Sequence, residues 1–280
     1  MKKVIIVTGA SSGIGKATAL QLLKEGHIVY GAARRVHKMH DIEVAGGYAV
    51  EMDVTNHEQV KIAIDKIIAV QGRIDVLVNN AGFAIWGAVE DISYEDAKRQ
   101  FEVNIFGLAE VTKAVLPTMR KHKSGKIINI SSIGGKIYTP LGAWYHATKH
   151  ALEGWSDCLR LEVKQFGIDV VIIEPGAIRT EFADVMNDNF TRSKNGPYAE
   201  MANLISQVMA EVEDPAKSSP PSVIAAVISN AIRAVKPKTR YAAGKMASQT
   251  LFARHWFSDK MFDKSILRMM NNMAKNKNAA

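Results

Sequence analysis

Cysteine is nearly absent: the 280-residue chain has one, Cys158. A single thiol closes no internal disulfide and builds no thiolate metal cluster, which suits a reducing compartment and predicts a cytoplasmic protein. Long apolar runs are lacking too. The longest, residues 223–228, falls far short of the roughly 18 residues that a membrane-crossing helix needs. Lys2 and Lys3 are followed by only a short apolar stretch before Thr8 and Gly9, too little for a secretory signal. Internal repeats, low-complexity tracts and any composition shift marking a second domain are also missing. What remains, 47% hydrophobic and 23% charged, is a folded globular composition and excludes general disorder.

Acidic charge is scarce at one end only. The formal charge is +8, yet residues 233–280 hold 11 basic and 2 acidic side chains while residues 1–232 hold 25 and 26. A nucleic-acid binder would be basic over its whole binding face; here the body is electrically balanced, and no nucleic-acid motif accompanies the tail. Nucleic acid is therefore not an expected partner.

Short, nearly all-apolar runs at 4–7, 28–32, 48–52, 76–79, 127–131 and 170–174 alternate with helix-period stretches at 14–24, 60–70, 95–120 and 144–165. Strands apolar on both sides are buried on both faces, so the pattern predicts an α/β fold: a doubly wound parallel sheet between two helical layers. Pro117 is expected to bend or end the third helix. Residues 1–245 read as one domain and 246–280 as an appended helical tail. Within the domain, residues 181–221 are rich in Asn, Met, Ser and Pro, with one amphipathic helix expected at 201–212. Following a strand's carboxyl end, this segment is placed either to be a substrate lid or to be an ordinary surface excursion.

The first strand runs into Thr8-Gly9-Ala10-Ser11-Ser12-Gly13-Ile14-Gly15 and straight on into a helix. Gly9 permits the tight turn, Gly13 lets backbone approach a diphosphate, and Gly15 lets helix and strand pack closely. The helix start offers N–H groups and a positive dipole end to the anion. Where a ribose-binding acid would end the second strand, the chain reads Ala33-Arg34-Arg35 instead. Two guanidiniums in place of a carboxylate predict NADP(H) over NAD(H).

Tyr145 and Lys149 lie one helical turn apart, on one face, and Ser132 closes a strand thirteen residues before the tyrosine. A phenol has a pKa of about 10; a nearby ammonium and an oxidised nicotinamide would both favour its phenolate. Tyr145 can then exchange a proton with a substrate oxygen held by Ser132, while the cofactor carries the hydride.

These residues closely resemble the short-chain dehydrogenase/reductase family. The resemblance rests on Gly9, Gly13 and Gly15, on Asn79-Asn80-Ala81-Gly82, on Asn104, Ser132, the Tyr145/Lys149 pair, and Pro175-Gly176 with Thr180, in order over about residues 1–185. It implies a Rossmann fold and a Ser-Tyr-Lys-Asn tetrad. It further implies that Ser11, Ser12 and Ile14 share the phosphate turn, that Asp53 and Val54 lie near the adenine, and that Asn80, Ala81 and Gly82 lie beside the ribose. Pro175, Gly176, Ile178 and Thr180 would complete the nicotinamide end, Lys149 would also bind ribose, and Asn104 would help hold a proton-relay water. Helices 93–120 and 144–166 would pair subunits into a dimer or tetramer.

The second strand's end and the 239–241 strand with its helical tail resemble the branch of 17β-hydroxysteroid, retinol and acyl-dihydroxyacetone-phosphate oxidoreductases. That implies a hydrophobic ketone or secondary alcohol as substrate. The alternative is an NADPH-binding scaffold or sensor that presents its tail to a membrane or partner, against which an intact tetrad argues. His146 and His150 lack further ligands at metal spacing, so no metal is expected. Phe83, Ile85 and Trp86 are candidates for the pocket wall, Trp144 a weaker one, and Trp155 a core residue. On a helical projection of the tail, Phe262, Ile266, Met269 and Met273 oppose Lys260, Lys264, Arg268 and Lys275. Such a helix suits covering the pocket, packing on a second subunit, or lying on an anionic membrane, the first two together being expected over the third.

Overall fold

The computed structural model describes residues 2–181 and 191–278. Seven strands form one sheet: β1 (Val4–Thr8), β2 (Ile28–Ala33), β3 (Tyr48–Glu51), β4 (Val76–Asn79), β5 (Gly125–Ile130), β6 (Ile168–Pro175) and β7 (Arg240–Ala243). All pairings are parallel, in the order β3-β2-β1-β4-β5-β6-β7. The order reverses between β1 and β4, and a doubly wound sheet opens its ligand crevice at that point.

Strict alternation explains why the strands are apolar throughout. Val4 and Ile6 face one core with α3 (His57–Gln71), α5 (Leu108–Lys121) and α6 (Ala143–Val163). Ile5 and Val7 face the other with α1 (Gly13–Lys24), α2 (His40–Val44) and α8 (Pro221–Arg233). β1, β2, β4, β5 and β6 therefore serve both layers, as a buried parallel sheet requires. The edge strands are only partly covered: β3, expected to be buried on both faces, leaves Tyr48 and Glu51 exposed, and β7 packs on the second core alone. Trp155 packs into the first core as expected.

The third helix departs from expectation. It runs as α4 (Tyr94–Phe101), a π-turn over Glu102–Gly107, and then α5. Pro117 neither ends nor interrupts α5, which continues to Lys121; so near the end, its missing N–H removes only one late backbone bond. The 201–212 expectation appears as α7 (Ala199–Ala210), followed by a 3-10 turn. Residues 182–190 of the expected lid lie outside the described residues. The tail forms α9 (Ala247–Trp256) and α10 (Asp259–Asn278). Phe262 and Met270 are the most buried side chains of α10, with Ile266 and Met269 partly covered. The covered face is thus centred between Ile266 and Met270, slightly rotated from the projection.

Candidate active site

The β1–α1 turn is built by close backbone approach. Gly9 adopts φ +66°, and a Cβ there would meet Asn80 Nδ2 at 2.8 Å and Ala81 Cα at 2.9 Å. A Cβ on Gly15 would overlap the Gly9 carbonyl. Thr8 staples the two switch-point strands: its Oγ1 accepts from the Asn80 and Ala81 N–H groups, both at 3.0 Å, while Asn80 Nδ2 donates to the Thr8 carbonyl at 2.9 Å. Gly82 lies against Asn104, its would-be Cβ 3.2 Å from Oδ1.

Helix α1 opens at Ser12 without a side-chain cap and with no acid in its first turn. Its leading N–H groups and positive dipole end thus face the crevice ready for an anion. Gly13, at φ +52°, faces Thr180, whose Cγ2 would lie 3.2 Å from an added Cβ. These residues fit a bound dinucleotide diphosphate.

Arg35 Nη2 donates to the hydroxyls of Ser11 and Ser12, each at 3.3 Å, so it leans over the turn. Arg34 is exposed and reaches no such partner among the described residues. Only one of the paired arginines is therefore aimed at the turn. The Glu181 carboxylate lies 3.6 Å from Arg35 and 3.7 Å from Lys38, a neighbour that sequence reasoning missed. Asp53 caps its own loop, accepting from Thr55 N–H at 2.9 Å and Thr55 Oγ1 at 2.8 Å, and Val54 is buried where a Cβ on Gly107 would touch it. Both sit past β3, at the same end of the sheet. The 175–180 segment is pinned by Gly176 N–H to the Ala243 carbonyl at 2.8 Å and by the pairing of Ile178 with Ser219.

The tetrad converges at the carboxyl ends of β4 and β5. Ser132 follows β5, accepts the Gly134 N–H at 3.0 Å through Oγ, and is hydrogen-bonded to Tyr145. Lys149 Nζ donates to the Ile130 carbonyl at 2.8 Å and lies 5.9 Å from the Tyr145 ring centre. Asn104, inside the π-turn, donates to the Phe83 carbonyl (3.0 Å) and Thr148 Oγ1 (3.1 Å) and accepts from Phe83 N–H (3.1 Å). Its amide is spent on holding the 83–86 strip against α6. A π-turn at such a position is a recurrent mark of functional sites.

Burial dominates the electrostatics of the tyrosine. Tyr145, 9% exposed, has its phenol pushed up by burial, a shift that the Ser132 hydrogen bond only partly offsets. The ammonium does not make it a phenolate here. Lys149 is itself lowered to about 8 by burial, with Glu153 on the next turn of α6 pulling it up. Burial thus keeps the Tyr145 phenol protonated and brings the pKa of the Lys149 ammonium to about 8.

Above Tyr145 lies an apolar cluster. Ala84, Trp86, Ala202, Ile205 and Met270 are buried with it, and Leu141, Met201, Leu204, Met209 and Ile266 pack on them. The Trp86 ring centre is 6.0 Å from that of Tyr145. Of the three expected wall residues only Trp86 joins this cluster, since Phe83 lies beneath the Arg99 guanidinium and Ile85 is buried elsewhere with its N–H on Gln100. Trp144 packs edge-on against Phe101 instead. His146, expected to be a plain helix position, is buried and ties down the Ser132 loop, with Nδ1 2.9 Å from the Gly134 carbonyl and Nε2 3.0 Å from Thr139 Oγ1. Among the described residues no group of His, Cys, Asp and Glu is placed to hold a metal ion.

A glycine turn at the switch point, with a Ser-Tyr-Lys constellation across the crevice, defines a dinucleotide-binding oxidoreductase. The chain belongs to the short-chain dehydrogenase family, whose model matches residues 3–190. It is 41% identical over 261 residues, covering 92% of this chain and 94% of the relative, to the 3-ketodihydrosphingosine reductase of Bacteroides thetaiotaomicron. A short-chain dehydrogenase from Streptomyces avermitilis shares the fold with TM-score 0.80 and 34% identity, over 99% of this chain and 98% of that one. Serine dehydrogenase, solved with NADP+, follows with TM-score 0.76 and 25% identity, over 86% and 94%. Solved chains of this fold hold NADP+ in some cases and NAD in others. The protein is therefore an oxidoreductase of hydroxyl or carbonyl groups that uses a nicotinamide dinucleotide.

Proposed function

We propose that the protein is an NADPH-dependent reductase of an apolar, lipid-like ketone, reversible toward the secondary alcohol. The observation that carries this reading is the placement of the Ser132–Tyr145 pair beneath a roof of Trp86, Ile205 and Met270. The roof favours a long apolar substrate; the buried neutral phenol favours proton donation over abstraction. When bound, the reduced nicotinamide supplies the hydride to the carbonyl carbon.

The chain's own residues do the rest. Ser132 donates a hydrogen bond to the carbonyl oxygen, and Tyr145 passes its hydroxyl proton to that oxygen as charge develops there. Lys149, with its pKa near 8, returns a proton to Tyr145, and Asn104 keeps the 83–86 strip that carries Trp86 against α6 and supports the relay. Gly9, Ser11, Ser12, Gly13, Ile14 and Gly15 hold the diphosphate and Arg35 the 2′-phosphate, with Arg34 beside it. Asp53 and Val54 bound the adenine; Asn80, Ala81 and Gly82 line the ribose. Tyr145, Lys149, Pro175, Gly176, Ile178 and Thr180 frame the nicotinamide end.

The Bacteroides relative's name suggests the first substrate to try, a long-chain 3-keto lipid. Loss of NADPH absorbance with a panel of such ketones, steroids, retinoids and small aldehydes tests the reading. Tyr145→Phe is expected to lose at least about 100-fold in kcat while still binding NADPH, in keeping with the usual weight of general acid catalysis. A variant that kept most of its turnover would overturn the mechanism, and inertness of the whole panel would favour a cofactor-binding scaffold.

A further inference from the structure

The tail has two working faces, and the site accounts for one. Ile266 and Met270 turn inward onto the cluster around Tyr145, Phe262 packs on the Tyr138 ring, and Tyr138 donates to Asp263 at 2.9 Å to fasten α10 onto the Ser132 loop. The outward side is unusual for a protein surface. Phe252 (67% exposed), Trp256 (68%), Phe257, Met261 and Leu267 all stand open to solvent within about one and a half helices. Singly exposed apolar residues need no explanation; a contiguous group that includes Trp and Phe does.

Charge identifies what would cover it. The two acids of the tail are each engaged by a side chain of this chain, Asp263 by Tyr138 and the exposed Asp259 by Arg254 at 2.9 Å. Lys260, Lys264 and Arg268 project from the outer face of α10, exposed and without an acid partner among the described residues. A groove between Phe257 and α10 is lined by Met261, Lys264 and Arg268. Apolar floor and basic rim thus alternate along one surface. A protein partner would offer acids at fixed positions, whereas a row of bases beside a Trp and two Phe matches the charged and apolar layers of a lipid headgroup region.

We infer that the outer face of α9 and α10 docks on an anionic phospholipid surface. Trp256, Phe252 and Phe257 enter the headgroup boundary while Lys260, Lys264 and Arg268 meet lipid phosphates. The inner face of the same helix roofs the tetrad, so a ketone dissolved in the bilayer would reach the site at the edge of α10 without crossing water. This inference rests on the apolar-substrate reading for its purpose, but not for its test.

Full-length protein is mixed with extruded vesicles of phosphatidylcholine alone, or with about one-third phosphatidylglycerol, and sedimented. Each basic side chain near such a surface contributes roughly a fivefold gain in partitioning. The expected result is binding at least about tenfold stronger to the anionic vesicles, largely lost in about 0.5 M salt, where the Debye length shrinks to roughly 4–5 Å. Lys260→Gln/Lys264→Gln/Arg268→Gln is expected to weaken partitioning about 100-fold, and Trp256→Ala to weaken it for both lipids. Both variants should keep the wild-type circular dichroism and the turnover of a short, water-soluble ketone.

No binding, equal binding to neutral and anionic vesicles, or a triple variant that binds as the wild type does would each overturn the docking. If light scattering showed the triple variant splitting an oligomer while vesicles bound neither form, the face would be a subunit interface and the inference wrong. Ketone turnover without vesicle binding refutes the docking alone. Vesicle binding without turnover of any ketone refutes the reductase reading and leaves the docking standing.

Discussion

At the scale of single residues, the cofactor end is decided by charges around one guanidinium. Arg35 spans Ser11 and Ser12 while the Glu181 carboxylate stands 3.6 Å away, where a 2′-phosphate would be its competitor. Like charge at that distance raises the cost of phosphate binding. Arg35→Ala is expected to raise KM for NADPH at least about tenfold with little change for NADH, since a bidentate charged contact contributes roughly 1.5–3 kcal/mol. Glu181→Gln should lower KM for NADPH, and Arg34→Ala should do less than Arg35→Ala; initial rates with both cofactors check all three. The proton relay is decided just as locally. Burial lowers Lys149 to about 8 and Glu153 opposes the shift, so kcat/KM for ketone reduction is expected to fall above about pH 8. Glu153→Gln removes the opposing anion and should move that alkaline limb to lower pH; an unmoved limb would detach it from Lys149. Stability has the opposite sense. The native state sheds this proton near pH 8 and the unfolded chain only near 10.5, so between those values the unfolded state binds more protons and Lys149's contribution to stability rises with pH.

At the scale of elements, the sheet was legible because its strands answer to one rule. Residues 76–79 match β4 outright, being apolar on both faces, and the glycine turn could be read because Gly9, Gly13 and Gly15 each carry a backbone requirement no other residue meets as well. What escaped reading depends on partners distant in the chain. Nothing local in residues 102–107 betrays the π-turn; within it Asn104 reaches back to Phe83 and forward to Thr148. Phe83 reads as pocket wall until Arg99 is seen above its ring. The segment after residue 190 is latched by Ser193, whose Oγ donates to Asp91 at 2.7 Å and accepts Ala88 N–H at 3.0 Å, over a hundred residues away. Lys126 shows the same long reach. From β5 its ammonium donates to the Ala231 and Ile232 carbonyls at 3.0 and 2.9 Å, and to that of Ala234, closing the C-terminus of α8. Those carbonyls carry the negative end of the helix dipole. Lys126→Met is expected to cost about 1–3 kcal/mol in urea unfolding with the activity of the folded enzyme unchanged. A smaller loss would mean that water replaces the ammonium at little cost.

At the scale of the whole molecule, the uneven charge and the covered site belong to one arrangement. The body, nearly neutral over residues 1–232, carries the turn, the tetrad and both cores. The basic tail lies across the crevice from the Ser132 loop to α7, with Met270 and Ile266 closing the cluster around Tyr145. Closure of this kind would exclude water from the reacting groups and, on the proposed reading, contribute apolar contact to a long substrate. It leaves the adenosine half of the crevice, formed by Arg35, Asp53 and the β1–α1 turn, untouched. The two halves should therefore separate under mutation. Replacing Ile266 and Met270 together by Asp places two charges in the roof while sparing α9 and the 175–180 segment that packs on Ala247. KM for a long-chain ketone is expected to rise at least about tenfold, since a buried apolar side chain such as Met270 contributes about 1.5–3 kcal/mol and the half-buried Ile266 adds to it, while KM for NADPH moves less than about twofold. Turnover of a small aldehyde should survive, because Tyr145, Ser132 and Lys149 take their positions from β5 and α6 and not from the tail. Were both Michaelis constants to rise together, α10 would be part of the fold's support and not a cover for the substrate, and the apolar roof would no longer favour a lipid-like ketone over any other carbonyl compound.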